Sequence, residues 1–160
     1  MDVEIGLPGQ ARQEVGRILN RLLADEHVLY VKTRNYHWNL VGPRFHSLHV
    51  FFEEQYVMLQ PVMDDIAERA RSVGATALGS MAEFTEQARL REEAGGHPDA
   101  EVMLRNLLTD HEAMAQQLRK DVDRCDEELN DQGTADFLTE LMEMHEKQSW
   151  MLRAHLEQAG

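Results

Sequence analysis

Gly74-Ala75-Thr76-Ala77-Leu78-Gly79-Ser80 opens a stretch that closes on Gly95-Gly96-His97-Pro98, and it divides the chain between two regions of helical periodicity. Its glycines and terminal proline mark residues 74–97 as a connection, with one weak helical stretch from Ser80 to Arg91. Before it, apolar residues recur at helical spacing from about residue 10 to 38, with Val15, Ile18, Leu19, Leu22, Leu29 and Tyr30 on the inner side. Asn39-Leu40-Val41-Gly42-Pro43 breaks that helix, and a second runs from about 44 to 73. Pro61 lies inside the second helix and predicts a kink rather than a stop. After the connection, Pro98 suits the first position of a third helix, about 98 to 129. Asn130-Asp131-Gln132-Gly133 makes the next turn, and Thr134 reads as the N-cap of a last helix reaching about 157. Two short links and one able to cross the molecule predict an all-α antiparallel four-helix bundle, with a short extra helix in the long connection between helices two and three.

The chain has 160 residues, which predicts a single domain over 10–160 preceded by a short flexible segment, 1–9. Twenty-nine acidic against sixteen basic residues leave a formal charge of −13, and the cations are not gathered in one place. Such a surface repels nucleic acid and anionic membranes. Cys125 is the lone cysteine, so an intrachain disulfide, a CxxC redox motif and a paired-cysteine zinc site are excluded. A reducing, cytoplasmic home is expected. Met1 to Gly6 has neither a basic region nor an apolar run, so no secretory signal is expected, and no segment reaches the length of a membrane span.

The second helix carries His46, His49, Glu53, Asp64 and Glu68. With His49 as zero, Glu53, Asp64 and Glu68 fall at roughly 40°, 60° and 100° around the helix. Phe45, Leu48, Phe52, Leu59, Met63 and Ile66 take the flank expected to face the core. Such carboxylate pairs are more often plain solvated surface than ligands, yet imidazole with carboxylates also suits a borderline divalent metal such as iron(II). Length then decides the form any site must take. His49 and Asp64 are about 22 Å apart along one helix and cannot share an ion within a chain. Two antiparallel copies about a two-fold axis near Tyr56 and Val57 would bring them together, twice over. No HExxH or Glu-x-x-His motif occurs, and His27, His97, His111, His145 and His155 lack ligand spacing and read as structural. The nine methionines read as core filler.

At His37 these observations meet a wider pattern: Asn35-Tyr36-His37-Trp38-Asn39, Gly42-Pro43-x-Phe45, Leu48-His49, Met63-Asp64-Asp65-Ile66-Ala67-Glu68-Arg69, Thr134-Ala135-Asp136 and Trp150-Met151-Leu152. The pattern covers residues 10–157 and resembles the Dps family, the miniature ferritins named for DNA protection during starvation. The resemblance implies a ferritin-like fold, a hollow dodecameric homo-oligomer in the prokaryotic cytoplasm, and a ferroxidase site across the two-fold interface. It assigns His37 and His49 of one subunit, with Asp64 and Glu68 of its neighbour, to two iron ions, which zinc or manganese could replace. Glu53 stands where the family usually has an aspartate and joins the metal set as a longer-reaching carboxylate. His46 is outside the usual ligand set. The implied activity is oxidation of iron(II), preferentially by hydrogen peroxide, and storage of ferric iron against oxidative stress. Trp38 and Trp150 match family tryptophans near the site, as redox-active groups or as packing. Glu127, Asp131 and Asp136 match a three-fold pore that admits ions.

The family's DNA binding usually rests on lysine-rich tails. Here residues 1–11 contain no Lys or Arg, and only Arg153 follows Trp150, so direct DNA binding is not expected. The competing reading is a DNA-binding, nucleoid-protecting or purely structural shell whose metal site is incidental.

Overall fold

The computed structural model describes residues 3–157. Among these, five α-helices and no strand are present: α1 (Gly9–Asn39), α2 (Phe45–Ser72), α3 (Met81–Gln87), α4 (Ala100–Asp123) and α5 (Gln132–Leu156). The four long helices form the bundle, with α1 packed along α2 and α4 along α5, while α3 lies against α1. Residues three and four apart put one stripe of each helix inside. Val15, Leu19, Leu22 and Leu29 of α1 meet Leu48, Phe52, Leu59 and Ile66 of α2, Leu104, Leu107, Met114 and Leu118 of α4, and Leu138 and Leu152 of α5. Full burial of each such side chain contributes about 1.5–3 kcal/mol relative to exposure.

The helix boundaries differ from the sequence reading where a carboxylate offers a better cap. Asp99 accepts the Val102 amide at 3.0 Å, so α4 starts at Ala100 and Pro98 lies outside it. Asp131, rather than Thr134, caps α5 by accepting the Thr134 amide at 3.0 Å, while the Thr134 hydroxyl donates back at 2.6 Å. An ionised acceptor at a helix N-terminus satisfies an orphan N–H and complements the macrodipole. The third helix also ends differently from a plain α-helix. Arg124–Glu128 widens into a π-helical turn, and Asn130 closes it with a positive φ of 52°. The helix within the connection starts where expected, on a capping box of Ser80 and Glu83, and ends earlier than expected, because Ala88 turns extended and Asp25 takes the Arg89 and Leu90 amides. Pro61 sits inside α2, which continues through it. Phe45 was expected to face the core but is 43% exposed, and Met63 is half-buried.

Two devices hold the site-bearing helices in place. The turn between α1 and α2 reverses through Gly42 at φ +110°. The end of the crossover is tied to α1 by Asp25, fully buried, which accepts the amides of Arg89 at 2.5 Å and Leu90 at 3.1 Å and pairs with the Arg89 guanidinium at 2.6 Å. No described helix is long and apolar enough to cross a membrane.

Candidate metal centre

The reversal at Gly42 lays the last turn of α1 beside the first turns of α2, and His37 meets His49. Their rings stack with centroids 3.7 Å apart. His37 Nδ1 lies 2.8 Å from the His49 carbonyl, and His49 Nδ1 lies 2.9 Å from the His37 carbonyl. A carbonyl only accepts, so each Nδ1 carries a hydrogen and donates it. That bond leaves Nε2 as the nitrogen of each ring that can offer a lone pair, the arrangement that fixes an imidazole for metal binding. The exchange also satisfies the His37 carbonyl, which lies in the last turn of α1 where no helical donor follows. Phe45 stacks on His49 at 4.9 Å and Tyr56 meets His37 edge-on at 5.3 Å, closing the sides of the pair.

The carboxylates lie elsewhere on α2. Asp64 and Glu68 are exposed and one turn apart, and Glu53 is exposed with Oε1 accepting the Tyr56 hydroxyl at 3.3 Å. The fold thus brings His37 to His49 and keeps Asp64 about 22 Å and Glu68 about 28 Å along the helix from His49. Among the described residues of one chain, no group of three or more His, Cys, Asp or Glu is placed to hold a metal. His46 is exposed. Trp38 and Trp150 are each 62% exposed. The Arg34 guanidinium lies 4.7 Å from the Trp38 ring and 5.2 Å from Tyr56, and it donates to the Tyr30 hydroxyl at 2.8 Å. Trp38 is thereby held beside the histidine pair.

Of the three residues expected at a pore, Glu127 and Asp136 are exposed, whereas Asp131 is buried and engaged as the α5 cap and as the partner of Arg69 at 3.2 Å. Cys125 is buried beside it, and burial, then the neighbouring Asp131 and Asp121, push its thiol up to about 12.

A second polar cluster escaped the sequence reading. Glu26, His145 and His111, on α1, α5 and α4, are all fully buried in the bundle interior. His145 Nε2 lies 2.8 Å from Glu26 Oε1, and its Nδ1 lies 2.9 Å from His111 Nδ1. Burial, reinforced by His145, holds the His111 imidazole well below its usual range. The signal was present in the register: Leu22, Glu26, Leu29 and Leu107, His111, Met114 have the 4-3 and 4-3 spacing of core positions. Lys32 and Asp110 form a further buried pair at 2.6 Å.

Comparison with known proteins agrees with this architecture. The ferritin-like domain family matches residues 17–159. An uncharacterised low temperature-induced protein of Nostoc sp. is 50% identical over 155 residues, covering 97% of this chain and 87% of its own. A DNA protection during starvation protein of Brevibacillus brevis is 39% identical over 146 residues, 91% of this chain and 97% of its own. Among solved structures, a Dps protein from Bacillus brevis superposes with a TM-score of 0.89 at 37% identity, covering 94% of this chain and all of its own. One from Vibrio cholerae, described as a member of a broad superfamily of ferritin-like diiron-carboxylate proteins, superposes at 0.91 with 32% identity and 98% of each chain. The chain belongs to the Dps family of ferritin-like proteins.

Proposed function

We propose that this chain is the subunit of a dodecameric ferroxidase shell that oxidises iron(II) with hydrogen peroxide and stores the ferric product. Family membership supports iron storage, stress protection and ferroxidase-type activity in general. One observation carries the finer reading: the mutual His37–His49 hydrogen bonds leave two Nε2 lone pairs side by side, with the carboxylates that would complete the shell far along the same helix. An antiparallel α2 pair joins the His37 and His49 of one subunit to the Asp64 and Glu68 of the other. Val50, Val57 and Phe45 are exposed apolar residues on the helix that this pairing would cover.

In the reaction each of two iron(II) ions gives one electron to peroxide. The O–O bond breaks, two protons are taken up, and two waters leave, so no hydroxyl radical is released. Imidazole and carboxylate donors bind the substrate iron, and few protein ligands leave positions open for peroxide. Glu53 supplies a further carboxylate one turn from His49. Zinc and manganese compete for the same donors. Trp38 and Trp150 take up stray oxidising equivalents. Glu127 and Asp136 line the iron access path, and Asp131 supports its wall through α5.

Direct DNA binding is not part of this reading. At least eight of the sixteen cations already pair with carboxylates: Arg17, Lys32, Arg69, Arg89, Arg105, Arg119, Arg124 and Arg153. A cytoplasmic location is consistent with the lone buried Cys125.

The decisive experiment mixes two inactive variants. His37→Ala/His49→Ala and Asp64→Ala/Glu68→Ala should each lose peroxide-dependent ferric absorbance. Co-assembled one to one, they restore about one quarter of the sites, because each site draws each half from either subunit at random. Wild-type rates in either variant, or no recovery in mixed shells, would refute the shared site.

A further inference from the structure

Asp64 lines a second space besides the face it turns to the interface. A cavity of about 370 Å³ lies between α1, α2 and α3, with His27, Gln60, Met63, Asp64 and Phe84 among its walls. His27 is fixed there by two contacts. Its Nδ1 lies 2.8 Å from the Leu23 carbonyl, and its ring stacks on Phe84 with centroids 3.7 Å apart and planes 15° from parallel. The carbonyl accepts, so Nδ1 carries the hydrogen, and Nε2 of the neutral ring keeps the lone pair. This is the bonding pattern found at His37 and His49, at a third histidine that lines the same cavity as a carboxylate.

We infer that His27 Nε2 and Asp64 form a divalent-cation position within one chain, completed by water and adjoining the two-subunit site. The inference rests on the proposed ferroxidase reading, because Asp64 serves both: its two oxygens allow it to bridge an ion on His27 and an ion on the partner's histidines. Imidazole and carboxylate with water suit iron(II), and they suit zinc(II) or cobalt(II) as probes. Two protein ligands fall short of the three that catalytic zinc sites retain, so the ion exchanges readily. The position therefore holds iron on its way to the shared site. Met63 and Gln60 border the cavity and supply a thioether and an amide as weak outer donors.

The test is anomalous diffraction from crystals of the assembled wild-type protein soaked in zinc(II) or cobalt(II). The expected result is density at the shared site by His37 and His49 and, as a second and separate feature, one peak per chain about 2.0–2.1 Å from His27 Nε2 with Asp64 also in contact. His27→Phe keeps the stack on Phe84 and removes the nitrogen. It should lose the second peak alone, and equilibrium dialysis against cobalt(II) should find one ion fewer per chain. A filled His37–His49 site with nothing at His27 overturns this inference and leaves the ferroxidase reading standing. An ion on His27 out of reach of Asp64, or unchanged binding in His27→Phe, also overturns it. Absence of both peaks overturns the two together.

Discussion

Replacing His111 by asparagine tests whether the buried Glu26–His145–His111 chain makes stability depend on pH. The asparagine amide nitrogen falls near the position of the imidazole Nδ1, so it still donates to His145, now without a group that titrates. The sign follows from the direction of the shift. Burial lowers the His111 pKa in the folded protein, while the unfolded imidazole takes up a proton below about 6.5. The unfolded state therefore binds more protons as pH falls. The stability at stake is complete above that value, declines below it, and stops declining once the folded value is reached. One proton is worth about 1.4 kcal/mol per pH unit over that window. For a chain of this size, 1 kcal/mol moves Tm by about 2–4 °C, which gives roughly 3–6 °C per pH unit. Scanning calorimetry of wild type and His111→Asn at equal subunit concentration, at about pH 7.5 and about pH 5.5, measures it. Wild type should lose about 3–6 °C more than the variant between the two conditions, because about one unit of the interval lies below the unfolded pKa. The ring atoms missing from the variant cost the same at both pH values, and His155, also lowered by burial, titrates in both proteins. Equal Tm losses in the two proteins would refute the reasoning.

Lys32→Met strands the buried Asp110 carboxylate and should cost about 3–5 kcal/mol in thermal unfolding, most of it recovered by adding Asp110→Leu. Gly16→Ala places a methyl 2.6 Å from the Ala75 Cβ and should cost about 1–3 kcal/mol, whereas Gly9→Ala, with its nearest neighbour at 3.8 Å, should be close to neutral in the same measurement. Cys125, buried and pushed up to about 12, should stay unmodified by a thiol reagent in the native protein at mildly alkaline pH and react fully in denaturant. Plasmid DNA should run unretarded with stoichiometric protein at moderate salt, and a clear gel shift would show that the paired cations are not decisive.

The long helices were legible because burial enforces a spacing that a sequence displays directly. Val15, Leu19, Leu22 and Leu29 mark α1 without any knowledge of their partners. Helix ends were less legible, since Pro98 and Thr134 are sound choices locally and lose to Asp99 and Asp131 only through bonds formed in three dimensions. Asp131 has a structural part that only the fold reveals. The family resemblance matches it to a pore, and its bonds to Thr134 and Arg69 engage it within the fold. Phe45 misled for a related reason: helical phase put it toward the core, but its ring covers His49.

Histidine chemistry shows where sequence reading reaches its limit. His111 and His145 read as structural because they lack ligand spacing, and their register among leucines says only that they are inside. What separates them from His37 and His49 is which atoms are spoken for. His145 has a partner at each nitrogen, Glu26 at 2.8 Å and His111 at 2.9 Å, so these three groups form a line and converge on no common point. His37 and His49 spend one nitrogen each on a backbone carbonyl and leave the other pair free beside one another. A metal ion needs convergent lone pairs, and convergence depends on ring rotation, which no residue pattern encodes. The same criterion brings His27 forward, because its Nδ1 is bound to a carbonyl and the residue lines a cavity that Asp64 also lines. The proposed iron chemistry therefore rests on histidines of α1 and α2 that bond backbone carbonyls through Nδ1, whereas in the bundle interior the Glu26–His145–His111 line leaves His111 Nε2 as its one unpartnered ring nitrogen.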